Sequence, residues 1–421
     1  MSKKAVLSWA FYDWANSAFA TTVIAGFFPI FFKDYWSKDY PVEQSTFWLG
    51  IAISSAGLIV AVLSPLLGAF SDLGSKKKVF LAGFAGLGIV MTGGLYFLQA
   101  GDWQLAAIMY TLASVGFLCS NVFYDSLITT VSSSKSVDLV SSQGYGMGYM
   151  GGGILFLINV IMVQQPDWFG FTSPAEAVKW SFLTVALWWL LFSIPLFLFV
   201  KEPAPPAHLK SSDVLKFGFE EFRHSLKTIF SNKTVAVFLA AYWLYIDGVD
   251  TIIAMSVDFG KSIGIPNSDL ITALLMVQFI GFPFAILFGW LGQKFGAKRT
   301  ILVCIAGYLA ITLLGSQLDN VPVVIGGVNV SKFYLLAIGV AMVQGGIQSL
   351  SRSLFARIVP PEKSGEYFGF YNMMGKFATI IGPVLMGTVT VLSGSPRMGI
   401  LSISVLFLAG GFLLWTVKIE E

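Results

Sequence analysis

Charge is what this sequence has least of. Asp, Glu, Lys and Arg make up 12% of its 421 residues and hydrophobic residues 56%, with a mean hydropathy of +0.76, whereas soluble domains carry about 25% charged residues. A water-facing surface cannot be assembled from so few charges. Long polar segments are also missing, so there is no room for a separate soluble domain. Histidine occurs twice, at His208 and His224, both in one polar central segment, so no imidazole is available inside the apolar runs for a proton relay or a haem ligand. Cys119 and Cys304 stand alone within apolar runs, which excludes a disulfide framework or metal cluster and leaves them as small packing residues. No metal and no cofactor is expected.

Nucleotide-cradling loops are absent too. The nearest approach, Gly369 to Gly375-Lys376, has five intervening residues and Phe377 where a magnesium-binding hydroxyl belongs, against four and Ser or Thr in the phosphate-binding pattern. An ATP-driven pump is therefore excluded. A membrane enzyme would need clustered His, Cys or carboxylates at metal or nucleophile spacing, and none occurs. The net charge of +3 is small, and no nucleic-acid partner is expected.

What is present is a series of apolar runs near 7–32, 46–70, 79–100, 104–126, 143–164, 178–200, 235–258, 269–291, 300–318, 332–354, 366–392 and 397–417. Each is close to the roughly 20 residues that cross a bilayer as a helix. Continuous runs, rather than alternating ten-residue segments, favour helices over a barrel. The spacing predicts an all-α membrane protein of 12 spans, its partner surface the lipid bilayer. The first run, interrupted by Asp13, is too long for a signal-peptide core and is expected to be retained. With the N-terminus cytoplasmic, 19 basic residues fall on the cytoplasmic side and six outside, leaving Lys376 within a span. The positive-inside rule then predicts both termini in the cytoplasm.

The polar stretch beginning Lys201-Glu-Pro-Ala-Pro-Pro divides the chain into 1–200, a six-span half; 201–234, a cytoplasmic linker with an amphipathic helix around 212–217; and 235–421, a second six-span half. Three local matches point to duplication. Gly68-Ala-Phe-Ser-Asp72-Leu-Gly74-Ser-Lys76-Lys77-Lys78 mirrors Gly289-Trp-Leu-Gly-Gln293-Lys294-Phe-Gly296-Ala-Lys298-Arg299. Asn121-x3-Asp125-Ser-Leu mirrors Gln348-x3-Arg352-Ser-Leu, and Asp13-x2-Asn16-Ser17 mirrors Asp247-x2-Asp250-Thr251. Parallel six-span repeats and the two glycine, acid or amide, basic-cluster loops resemble the major facilitator superfamily, which implies its fold and its rocking of two halves about a central site. Gly74 stands one residue early in the first loop and Gln293 replaces the acid in the second.

A closer resemblance covers nearly the whole chain. Tyr12-Asp-Trp-Ala-Asn-Ser-Ala-Phe, Gly144-Tyr-Gly-Met-Gly-Tyr-Met-Gly-Gly-Gly, Asp247-Gly-Val-Asp-Thr, the Gln344 to Arg357 run and the Gly369 to Pro383 run are similar to the autophagy-related vacuolar effluxer group. That resemblance implies a secondary transporter whose eukaryotic relatives release amino acids from the vacuole. The expected location is a bacterial inner (plasma) membrane, and the expected state a monomer.

Ionisable groups inside a bilayer are costly and by default functional. Asp247, Asp250 and Thr251 share a face of span 7 with Trp243 one turn before. Two adjacent carboxylates resist joint ionisation, so the pair is a candidate proton or ammonium site; the structural alternative is an interhelical clamp with Lys376. Lys376, with Asn372 on its face and Gly375 and Gly382-Pro383 around it to let the helix bend, is a candidate anchor for a substrate anion or a permanent partner of Asp247 or Asp250. Asp13 and Asn16 in span 1 and Tyr149 in span 5 complete the candidate substrate and proton site. Glycines 144, 148 and 152 in span 5 are expected to serve close packing. At the cytoplasmic ends of the spans, Asp72, Lys76, Lys77, Asp125, Gln348, Arg352, Arg357 and Glu366 are candidates for gating salt bridges.

The expected function is alternating-access transport of a small polar, amino-acid-like solute coupled to protons. Export of another small organic anion or metabolite, and a transport-inactive receptor on the same fold, remain the alternatives.

Overall fold

The computed structural model describes residues 2–74, 76–202, 228–229, 231–319, 321, 323–325, 328–378 and 380–418. The expected amphipathic segment at 212–217 lies outside them, as does Thr379. Among the described residues, twelve helices are long and apolar enough to cross a membrane: Lys3–Trp36, Gln44–Asp72, Lys77–Phe97, Trp103–Val131, Val137–Gln164, Pro174–Phe199, Lys233–Val257, Ser268–Phe295, Ala297–Ser316, Phe333–Ile358, Pro361–Ser393 and Pro396–Thr416. They are spans 1 to 12 below. Hydrocarbon offers the backbone no partners, so each chain pass must satisfy its own N–H and C=O groups, as a helix does. Large apolar side chains such as Leu58, Ile108, Leu190, Leu287 and Val303 stay exposed on the helix surfaces, a cost in water and none in lipid.

Spans 1 and 11 depart most from plain α-helix. Span 1 changes to π-helix at Phe19–Phe27 and again at Phe32–Trp36, rotating the faces of its second half. Span 11 is interrupted: one segment runs Ser364–Phe377 and a second Ile381–Ser393. Among the described residues the only strands are Val323–Ile325 and Val328–Val330, paired antiparallel between spans 9 and 10. Asp319 and Lys332 close that loop with an ion pair of 2.7 Å, and the ammonium holds the Asp319 carboxyl below its ordinary range.

The chain forms two contact units, one of residues 1–132, 147–225 and 360–373, the other of residues 133–146, 226–359 and 374–421. In the first, span 1 packs on span 6, span 4 on spans 2 and 3, and span 3 on span 6. In the second, span 7 packs on span 12, span 10 on spans 8 and 9, and span 9 on span 12. The same pairing recurs six spans later. Spans 5 and 11 each start in one unit and continue in the other. Span 5 meets span 8 at Gly146, where a Cβ would approach Ile286 and Phe282, and then span 1 at Gly148 and Gly152, where a Cβ would lie 2.6 Å from Ser17 Oγ and 2.7 Å from Thr21 Oγ1. Only glycine lets the backbones come so close.

Candidate substrate and gating sites

Span 7 begins at Asn232, whose side-chain oxygen accepts from the amides of Thr234 (3.1 Å) and Val235 (3.3 Å). From that cap, the helical period carries Trp243, Asp247, Asp250 and Thr251 onto one face. Asp247 is fully buried. Its Oδ1 accepts from the Gly382 amide at 2.9 Å and from Thr251 Oγ1 at 3.3 Å. Asp250 is half-buried, and its electrostatic partners are Lys376 and Asp247. Lys376 is half-buried in the last turn of the first segment of span 11, just before the break. The Trp243 Nε1 is buried and has no hydrogen-bond partner among the described residues. A carboxylate and an ammonium thus stand at a discontinuous helix, with an idle N–H donor one turn before Asp247 on span 7, a grouping suited to a ligand with both charge signs.

In the first unit, Asp13 accepts from the Tyr124 hydroxyl at 2.7 Å and Asn16 donates to Asn121 Oδ1 at 2.6 Å. Trp9 stacks on Tyr124 with centroids 4.5 Å apart and donates to its carbonyl at 3.0 Å. Both span 1 polar groups therefore bind span 4. Tyr149 is buried in span 5, beside the Gly148 contact with span 1.

The candidate gating residues form one cluster in each unit. In the first, Asp72 pairs with Lys77 at 2.9 Å, and Lys77 also donates to Ser364 at 2.7 Å. The same carboxylate accepts from the amides of Gly365 (3.0 Å) and Glu366 (2.8 Å), the first turn of span 11's leading segment. Helix N-termini present unpaired amides and a positive dipole end to such an anion. Glu366 is buried beside them, and Lys76 is exposed at the loop. Further along span 11, Asn372 donates to Asp125 Oδ2 at 3.2 Å.

In the second unit, Arg352 donates from Nε to Ser141 Oγ (2.9 Å) and from Nη2 to the Ser141 carbonyl (2.8 Å), its guanidinium lying 4.3 Å over the Tyr145 ring. Arg357 forms an ion pair with Asp138, which also accepts from Ser353 Oγ at 2.6 Å. Gln293 donates to the Lys135 carbonyl at 2.9 Å. Gln348 lies partly exposed on span 10, one turn before Arg352.

Known proteins match along the whole chain. The family model described as vacuole effluxer Atg22 like matches residues 42–137 and 129–421. An uncharacterized MFS-type transporter, YxiO of Bacillus subtilis, is 36% identical over 98% of this chain and 94% of its own. The chain belongs to the Atg22-like vacuole-effluxer family. Autophagy-related protein 22-1 of Phaeosphaeria nodorum is 25% identical over 87% of this chain and 75% of its own. Among solved structures, the proton:xylose symporter XylE superposes with a TM-score of 0.70 at 14% identity over 99% of this chain and 94% of that one. The human organic anion transporter MFSD10 gives 0.68 at 16% identity over 98% of each. This Atg22-like chain is accordingly a major facilitator superfamily transporter, an integral multi-pass membrane protein and not an enzyme.

Several residues that organise this Atg22-like chain carried no sequence signal of their own. Asp138 follows the polar Ser132-Ser-Ser-Lys-Ser stretch and has the look of a loop acid, yet it is fully buried. The repeat itself holds the missing signal. The shift that carries Asn121 onto Gln348 also carries Tyr145 onto Asn372 and Asp138 onto Gly365, and those positions meet Arg352, Asp125 and the Asp72 loop or their counterparts. Lys78 and Lys298 form another pair. Lys78 Nζ donates to the carbonyls of Phe197 (2.8 Å) and Val200 (2.7 Å), and Lys298 Nζ to those of Trp415 (2.8 Å) and Val417 (2.6 Å). Each ammonium thereby closes the last turn of its unit's final span. Glu202 accepts from the Lys78 amide at 2.8 Å, and burial pushes its carboxyl above the ordinary range.

Proposed function

We propose that this chain carries a small zwitterionic, amino-acid-like solute across a bacterial inner membrane by alternating access, as a monomer with both termini in the cytoplasm. The arrangement that carries this reading is the electrostatic coupling of Asp250 on span 7 to Lys376, the residue one before the end of the leading segment of span 11. Opposite charges inside the membrane cost desolvation on both sides, and a ligand bringing its own ammonium and carboxylate offers each of them a partner. Asp250 takes the ammonium and Lys376 the carboxylate, with the Trp243 N–H as a further donor. When the site is empty, a proton on Asp247 or Asp250 relieves the crowding of the two carboxylates, which couples the cycle to a proton gradient.

Orientation rests on the 19 basic residues against six. Outward movement of solute is supported by the effluxer description of the family. The clusters at Asp72 and Asp138 then lie at the cytoplasmic ends of the spans, where they act as latches that release when that side opens.

Counterflow into proteoliposomes loaded with leucine, lysine, glutamate or tyrosine tests the reading, with and without a pH gradient. Exchange of at least one of these is expected in the parent, with a rate that responds to the gradient. Lys376→Ala and Asp250→Asn are each expected to lower it about tenfold or more, the equivalent of one charge-assisted hydrogen bond. If both variants exchange like the parent, the proposed site is wrong.

A further inference from the structure

Asp247 and Asp250 lie one turn apart on span 7, and each meets a different side of the break in span 11. Asp250 is coupled electrostatically to Lys376, in the last turn of the leading segment. Asp247 reaches across to the start of the trailing segment, Ile381–Ser393, whose second residue is Gly382. The Ile381 amide lies beside the same carboxylate.

That trailing helix starts at Ile380 with no side-chain cap of its own. A helix N-terminus leaves four amides without intrahelical partners, and the bilayer interior supplies no water to fill them. A carboxylate is a favourable partner there, through charge-assisted hydrogen bonds and the positive end of the dipole. The contact also requires glycine, since a Cβ at 382 would sit 1.9 Å from Thr251 Oγ1 and 2.7 Å from Asp247 Oδ1.

We propose that Asp247 is a positioning residue: by capping the trailing segment of span 11 from a neighbouring helix, it maintains the break and so fixes where Lys376 ends the leading segment. Asp247 is then committed to backbone, and Asp250 is the carboxylate left to meet the solute. The role assigned to Lys376 rests on the function proposed above; the cap does not.

Two variants separate an acceptor from a charge. Asp247→Asn keeps an oxygen for the Gly382 amide, whereas Asp247→Ala removes it. The purified protein in lipid nanodiscs is followed by amide hydrogen exchange over residues 378–384 and by the rate at which an acylating reagent modifies Lys376, located by peptide mass mapping. Asp247→Ala is expected to speed exchange there about tenfold or more, as loss of a charge-assisted bond implies. It is also expected to change Lys376 acylation by at least about threefold, because lysine reactivity follows its surroundings. Asp247→Asn, which keeps the acceptor but loses the charge, is expected to fall between the parent and Asp247→Ala in both. Gly382→Ala, which leaves Asp247 in place, should reproduce the changes, and Val249→Ala, buried on the same helix, should not alter Lys376 acylation.

Parental exchange in Asp247→Ala, or Asn behaving like Ala, overturns the cap. Faster exchange with unchanged Lys376 reactivity overturns the positioning role. Neither readout needs a transported solute, so failure of the counterflow panel with these results intact would remove the proposed transport reading and leave the cap standing.

Discussion

Oxidation of a Ser142→Cys/Ser349→Cys double variant is expected to stop counterflow, and reduction to restore it. The two hydroxyls are 2.9 Å apart and fully buried, one on span 5 and one on span 10, close enough for sulfurs in their place to bond. The surrounding contact is dense, with Ser141 Oγ donating to the Ser349 carbonyl at 2.7 Å. In the alternating-access cycle proposed above these two helices part once per turnover, and hydrogen bonds worth about 1 kcal/mol each permit that. A covalent link does not. Rates should fall by about tenfold or more, judged against each single variant, with cross-linking followed by intact mass. Native Cys119 and Cys304 are buried and will not compete. A fully cross-linked protein that exchanges at the reduced rate would mean that spans 5 and 10 stay together throughout transport.

Arg357→Ala should be the most destabilising change at the ends of the spans. Asp138 has no solvent exposure and, among the described residues, keeps only the Ser353 hydroxyl once the guanidinium is gone, so an uncompensated charge is left behind. Such removals cost about 3–5 kcal/mol. Lys77→Ala is expected to cost less, because Asp72 retains the Gly365 and Glu366 amides. Combining Asp138→Asn with Arg357→Gln should recover most of the loss, since no charge then remains unpaired. Unfolding midpoints in SDS titration measure all three. An Arg357→Ala midpoint no lower than that of Lys77→Ala would show that the buried pair contributes little.

The 12 spans were legible because hydrocarbon imposes one rule on every pass, and apolar length states it directly. The helices overrun the apolar windows, as span 8 does from 269–291 to Ser268–Phe295, because polar residues continue a helix beyond the membrane edge. Spacing along span 7 placed Asp247, Asp250 and Thr251 on one face, since that geometry is local. Partner choice was not legible. Asn372 shares a helix face with Lys376 yet donates to Asp125, a choice set by packing between distant segments. The π-helical turns of span 1 and the pairing of Val323–Ile325 with Val328–Val330 arise from local hydrogen-bond shifts that leave no periodic trace.

Residues 360–373 carry a cost in time. Lys77 and Ser364, bonded to each other, are separated by 287 residues, and the first unit includes this late segment. During synthesis the first six spans are made and inserted well before the piece that finishes their unit exists. Until then Asp72 lacks both amides that it accepts from in the finished protein. A chain cut after residue 359 should therefore be left as an open intermediate exposed to quality-control proteases, and supplying the missing segment on a separate polypeptide should rescue it.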